Sequence, residues 1–159
     1  MLSSRMGSAI AGGWEASGIW TAQDGAPFTL VLPVDVANVG NTNWPNRICS
    51  GKLDHPTIQN YFDQSCFPSP APYTFGNAGR NVLYGPGVDN VDFTLHRFFP
   101  IPIHEGVKLE VRAEFFNLFN RTEFGIPSNT LNLPQTGRIT TTNQSIPNRQ
   151  VQFALKLLI

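Results

Sequence analysis

The chain has 159 residues, 11 basic and 11 acidic side chains, a formal net charge of zero and only 14% charged residues. The length suits one domain or part of one, and the balanced charge argues against a nucleic-acid partner, which selects a basic excess. Charge well below the roughly 25% of ordinary soluble domains, with 14 Gly, 13 Pro and 12 Phe, suits an all-β chain with long loops. In chain order, Arg5 is followed by no apolar run long enough for a signal peptide, so the chain is expected to be the C-terminal piece of something longer. No stretch approaches the roughly 18 apolar residues of a transmembrane helix.

Five strands are predicted, at about 9–22, 28–34, 90–101, 107–119 and 148–159. In the first, Trp14, Ala16, Gly18 and Trp20 share a face opposite Glu15, Ser17 and Thr21. Asp24-Gly25 signals a tight turn into the second, where Phe28, Leu30 and Leu32 alternate. The third sets Val91, Phe93 and Leu95 against Asp92, Thr94 and His96, and a short turn over Pro100–Gly106 leads to the fourth. There Val107, Leu109, Val111, Ala113 and Phe115 oppose Lys108, Glu110, Arg112 and Glu114, whose charges alternate in sign. A helix would scatter those charges, so the period argues for a strand. In the fifth, Val151, Phe153, Leu155, Leu157 and Ile159 fall on one face and Gln150, Gln152 and Lys156 on the other. Such a strand is what a membrane barrel uses to close.

Two long loops, about 35–89 and 120–147, alternate with short turns. Loops of this length are rare in compact soluble domains, whereas outer-membrane barrels sort short periplasmic turns from long outer loops. Thr57–Phe62 could form a helical turn and Thr136–Thr142 a short strand. Trp14, Trp20, Phe98, Phe99, Phe115, Phe116 and Phe119 could supply interfacial girdles, or simply pack in a sandwich core. The expected fold is therefore all-β: about five antiparallel strands of a large transmembrane barrel with two long outer loops, all of 1–159 being one C-terminal part of a barrel domain.

Several segments carry a family resemblance. Gly12-Gly13-Trp14 with Gly18-Ile19, the turn Asp24-Gly25-Ala26-Pro27-Phe28-Thr29, and Gly76–Asn81 followed by Gly85-Pro86-Gly87 resemble the late barrel strands of TonB-dependent outer-membrane receptors. So do Gly137-Arg138-Ile139 and, most specifically, Ala113-Glu114-Phe115-Phe116-Asn117-Leu118-Phe119-Asn120. The nearest subgroup is the Oar-like receptors. The resemblance implies a 22-stranded barrel with an N-terminal plug, importing scarce nutrients with energy from the TonB complex. It implies as partners outer-membrane lipid, the rest of the barrel and plug, the barrel-assembly machinery, and the TonB complex through a part not present here. Family members usually end in an aromatic residue where this chain has Ile159.

Cys49 and Cys66 fall in the first long loop. The readings are a disulfide, favoured by an oxidising exterior, free thiols, or a metal site with His55, whose spacing matches no common zinc pattern. Lys108, Glu110, Arg112 and Glu114 read as a lumen-facing ladder or, less simply, a substrate path. His55, His96 and His104 stand in no nucleophile motif, and phosphate-loop, Rossmann and zinc-protease signatures are missing. No catalysis, cofactor or metal is expected. The alternative is a soluble β-sandwich binding module of carbohydrate-binding type, its loops exposing Trp44, Tyr61 and Tyr73.

Overall fold

A computed structural model describes residues 12–102 and 106–159. Its strands are β1 (Trp14–Gln23), β2 (Pro27–Phe28), β3 (Leu83–Tyr84), β4 (Val88–Pro100), β5 (Lys108–Phe116) and β6 (Gln150–Leu158). The only helical element among the described residues is a 3₁₀ turn at Gln64–Cys66, capped by the Asp63 carboxylate. The described residues divide into two units: one of 12–22, 89–102, 106–122 and 146–159, the other of 23–88 and 123–145.

The first unit is a four-stranded sheet in the order β1-β4-β5-β6. Its longest alternating runs dictate it. β4 and β5 pair antiparallel with Leu95 opposite Ala113 and His96 opposite Arg112. β5 and β6 pair with Val111 opposite Leu155 and Glu110 opposite Lys156. Glu15 meets His96 and Trp20 meets Asp89, so β1 runs antiparallel to β4. Three strands of this sheet follow the predicted alternation closely, and the sheet is open. One short turn joins β4 to β5, where Ile101 N–H donates to the Val107 carbonyl at 3.0 Å. Two long excursions, 24–87 and 117–149, leave from the opposite end. Ile103, His104 and Glu105 of the predicted turn, and 9–11 of the predicted first strand, lie outside the described residues.

β5 stops at Phe116, three residues before the predicted end. Asn117 turns into the left-handed region at φ 51° and Asn120 follows at 53°. Asn117 is buried; its Nδ2 donates to the Arg121 carbonyl at 2.7 Å and its Oδ1 accepts the Arg121 N–H at 2.9 Å. Its own N–H reaches the Asp92 carboxylate at 2.9 Å. Asparagine tolerates this backbone region because its short side chain can hydrogen-bond locally. The Asn-Leu-Phe-Asn run is thus a strand stop and not strand.

The predicted strand 28–34 is not part of this sheet. Only Pro27–Phe28 is strand, paired with β3 (Phe28 opposite Leu83), and Pro33 prevents extension. The apolar side of this segment turns into the second unit's core: Phe28, Leu30 and Leu32 are buried with Phe62, Cys66, Phe67, Leu83 and Leu131. Val31 bridges Thr130 and its N–H donates to the Asn129 carbonyl at 3.1 Å. Phe62 sits 6.0 Å from Phe28 and 6.1 Å, edge-on, from Phe67, separations within the range favoured by aromatic pairs. The first long excursion therefore begins at Asp24 instead of Asp35.

Within it, 46–52 and 62–68 run side by side. Asn46 N–H donates to the Pro68 carbonyl at 2.8 Å, Ile48 N–H to that of Cys66 at 3.0 Å, and Asp63 N–H to that of Gly51 at 2.9 Å. Thr57 and Asn60 exchange backbone bonds at the tip, so the predicted helical turn over Thr57–Phe62 is instead the bend of a hairpin. Gly51 lies at φ 75°, where a Cβ would overlap the Phe67 ring.

Candidate functional site

The sheet has two unlike faces because its side chains alternate. One face carries Phe93, Leu95 and Phe99 of β4, Leu109, Val111 and Phe115 of β5, and Val151, Phe153, Leu155 and Leu157 of β6, as the pairing register requires; Trp14, Ala16 and Trp20 of β1 join it, as the contacts of Trp14 with Arg97 and of Trp20 with Asp89 show. This face is open: Phe153 is 77% and Leu155 69% exposed, and Ile159 at the chain end 98%. Every buried hydrophobic residue among those described belongs to the other unit. A sandwich would cover such a face with a second sheet, and none of the described residues of the first unit forms one. β5 and β6 have nine residues each; at about 3.4 Å per residue and a tilt of about 40° they rise about 23 Å, near the roughly 25 Å apolar band of a membrane barrel.

Aromatic residues gather at both ends of this face. Trp14 and Phe99 mark the short-turn end, with the Arg97 guanidinium 6.0 Å from the first ring and 4.5 Å from the second. Trp20, Phe93 and Phe115 mark the other end, and the Trp20 indole N–H donates to Asp89 at 2.8 Å. Amphipathic rings and a long cation at the edges of an apolar band match a membrane interface. Phe98 and Phe116 do not join these girdles. Phe98 lies opposite Glu110 and Phe116 opposite Gln150, which puts both on the polar face, while Phe119 falls in the turn after β5.

The polar face gathers the predicted ladder. Arg112 Nη2 lies 2.6 Å from Glu110 and Nη1 3.4 Å from Glu114, so one cation serves the carboxylates two residues to either side. Glu110 is buried. Lys108 sits apart, opposite Pro100 and Leu158. On β4, His96 Nε2 is 3.1 Å from Glu15 of β1, a cross-strand pair that the sequence reading missed; the matching two-residue periods of β1 and β4 were its signal.

In the second unit, Cys49 and Cys66 are joined by a disulfide with Cα atoms 5.0 Å apart, stapling the paired segments 46–52 and 62–68 at their centre. His55 is at the exposed hairpin tip. Among the described residues, no three His, Cys, Asp or Glu side chains are close enough to hold a metal. Tyr61, expected exposed, packs against the core instead, and burial pushes its hydroxyl pKa up. Trp44 and Tyr73 are exposed.

Clefts open on this unit. One of about 450 Å³ lies between Asp24, Pro86, Phe124 and the segment Thr141–Ser145. Another, about 390 Å³, is lined by Val39, Asn41, Trp44, Phe75 and Arg80 among others. Both fall in the size range of small-ligand sites.

No match was found among curated proteins and none among solved structures. A family model described as "Outer membrane beta barrel domain" matches residues 1–152.

Proposed function

Because this chain belongs to the outer membrane beta barrel domain family, and its place is the bacterial outer membrane, we propose that it forms part of the wall of a TonB-dependent, Oar-like receptor that takes up a scarce nutrient. The observation that carries the reading is the two-faced open sheet: an apolar face without a covering layer, ended by aromatic rows, and a polar face with paired charges suited to a wet lumen. Among the described residues, β1 and β6 each have one unpaired edge. Four strands are too few to close a barrel, and an open edge is untenable in lipid. Further wall strands therefore complete it, with a plug inside, the barrel-assembly machinery inserting it and the TonB complex energising it. The two long excursions stand outside and help to shape the ligand vestibule. The chain performs no catalysis; its work is selective passage.

The test compares what cells remove from a limiting nutrient mixture. Strains lacking this gene, or lacking the TonB complex, are expected to leave the same compound behind. Unchanged depletion in the gene deletion, or a compound lost only there and not in the TonB-complex deletion, would sink the uptake reading while leaving the barrel itself in place.

A further inference from the structure

The 390 Å³ cleft of the loop unit is built from two segments distant in sequence, 39–44 and 75–80. The Trp44 wall is fixed from beneath by Asn43, which is buried. Its Oδ1 accepts the Ala37 N–H at 2.8 Å, its Nδ2 donates to Asp35 at 2.7 Å, and its carbonyl accepts the Leu32 N–H at 2.9 Å. Asn46 and Asn77 then clamp the two walls. Asn77 N–H donates to the Asn46 side chain at 3.2 Å, Arg47 N–H donates to the Asn77 side chain at 2.6 Å, and Ala78 N–H donates to the Pro45 carbonyl at 3.0 Å. Gly76 lies so close to the Trp44 and Pro45 carbonyls that a Cβ would overlap them.

The clamp presents three exposed groups. Phe75 is 74% exposed and Trp44 37%, and both line the same cleft. The Arg80 guanidinium lies 5.7 Å from the centre of the Trp44 ring and makes no ion pair with a carboxylate of the described residues. Arg80 lines the cleft with its donors not committed to a carboxylate, and a guanidinium fork matches a carboxylate in two-point geometry. Flat aromatic walls favour a body with apolar faces.

We propose that the Trp44–Phe75–Arg80 cleft binds a carboxylate carried on a flat body with apolar faces, the chemistry shared by aryl carboxylates and uronate sugars. The carboxylate pairs with Arg80 and the body rests on Trp44 and Phe75. This adds a ligand class to the uptake reading above, yet it concerns binding alone and is measured without TonB.

The full-length receptor, purified from outer membranes in detergent, is titrated calorimetrically with 2-naphthoate and with trigalacturonate, each beside its neutral amide or methyl ester. At least one acid should bind saturably and about tenfold more tightly than its neutral counterpart, and Arg80→Gln should remove that advantage. Phe75→Ala should weaken acid and neutral forms alike. Both substitutions change exposed side chains, so neither should unfold the unit. Which acid binds identifies the source. Saturation by neither acid, or binding indifferent to Arg80→Gln, would overturn the proposal, whatever the uptake experiment shows.

Discussion

Arg112 is the residue on which the polar face turns. Glu110 is buried beside it and Glu114 partly so. Truncation to alanine removes the only cation paired with either carboxylate among the described residues. Arg112→Ala should therefore lower the unfolding midpoint, because it leaves the Glu110 carboxylate without its partner; Arg112→Lys should recover part of it. Urea unfolding in phospholipid vesicles measures both, and an unchanged midpoint for the alanine variant would mean the ladder is held by other groups. In the loop unit, two aspartates respond to acid. Burial pushes the Asp35 carboxyl up, but hydrogen bonds from Gly40, Asn43, Val39 and Asn38 bring it below its ordinary value. The Ser65 hydroxyl, then the Ser65 N–H, lowers Asp63. A carboxyl depressed in the folded state stabilises above its unfolded pKa, about 3.9 for Asp, and loses that contribution as pH falls through the folded value. Amide protection at Gly40 and Ser65 should thus be constant from neutrality to about pH 4 and fall below it. Asp35→Asn should abolish the fall at Gly40 and leave Ser65 unaffected.

At the scale of elements, β6 offers the sharpest contrast. Leu155 lies near the middle of the open apolar face, and Gln152 lies on the polar one, opposite Glu114. Leu155→Arg should cost about 2–4 kcal/mol in a bilayer, as a cation facing lipid near mid-depth does. Gln152→Arg should cost almost nothing. Equal losses for the two would mean that the faces are assigned wrongly. The stapled hairpin makes a second contrast. Its disulfide closes a loop of sequence separation 17, for which chain entropy gives about 3 kcal/mol in a model-dependent way. Reduction should lower the stability of the loop unit by that order, with the sheet's bilayer-dependent signal unchanged. The alternation that made β4, β5 and β6 legible also misled at 28–34. Phe28, Leu30 and Leu32 alternate whether the apolar side meets lipid or a protein core, and period alone does not tell the two apart. The early end of β5 was hidden for a different reason: Phe116, Leu118 and Phe119 read as strand, and only the backbone sign at Asn117 reveals the stop. The cleft was illegible because Trp44 and Arg80 are far apart in sequence and meet only through the Asn46–Asn77 clamp.

For the whole molecule, the two units dispose of their apolar side chains differently. The loop unit buries its own aromatic core, while the sheet buries no hydrophobic residue among those described. In plain buffer the protein should therefore associate through the sheet and sediment as aggregate, and in micelles it should be dispersed. A sharp monomer boundary without detergent would contradict a lipid-facing sheet. Sorting of the connections by length, read from the sequence as a mark of a membrane barrel, holds with a different partition: 24–87 and 117–149 at one end, a short turn at the other. The separation of cores bears on how the chain can change over generations. Lipid asks of a side chain only that it be apolar, so the outward positions of β5 and β6 can exchange Leu, Val, Ile and Phe with little penalty. The loop unit asks for shape, since Phe62 must fit Phe28 and Phe67, and Gly51 must admit the Phe67 ring. Descendants of this chain should therefore drift quickly along the wall and slowly inside the loop unit, the reverse of the usual expectation that loops vary and scaffolds persist.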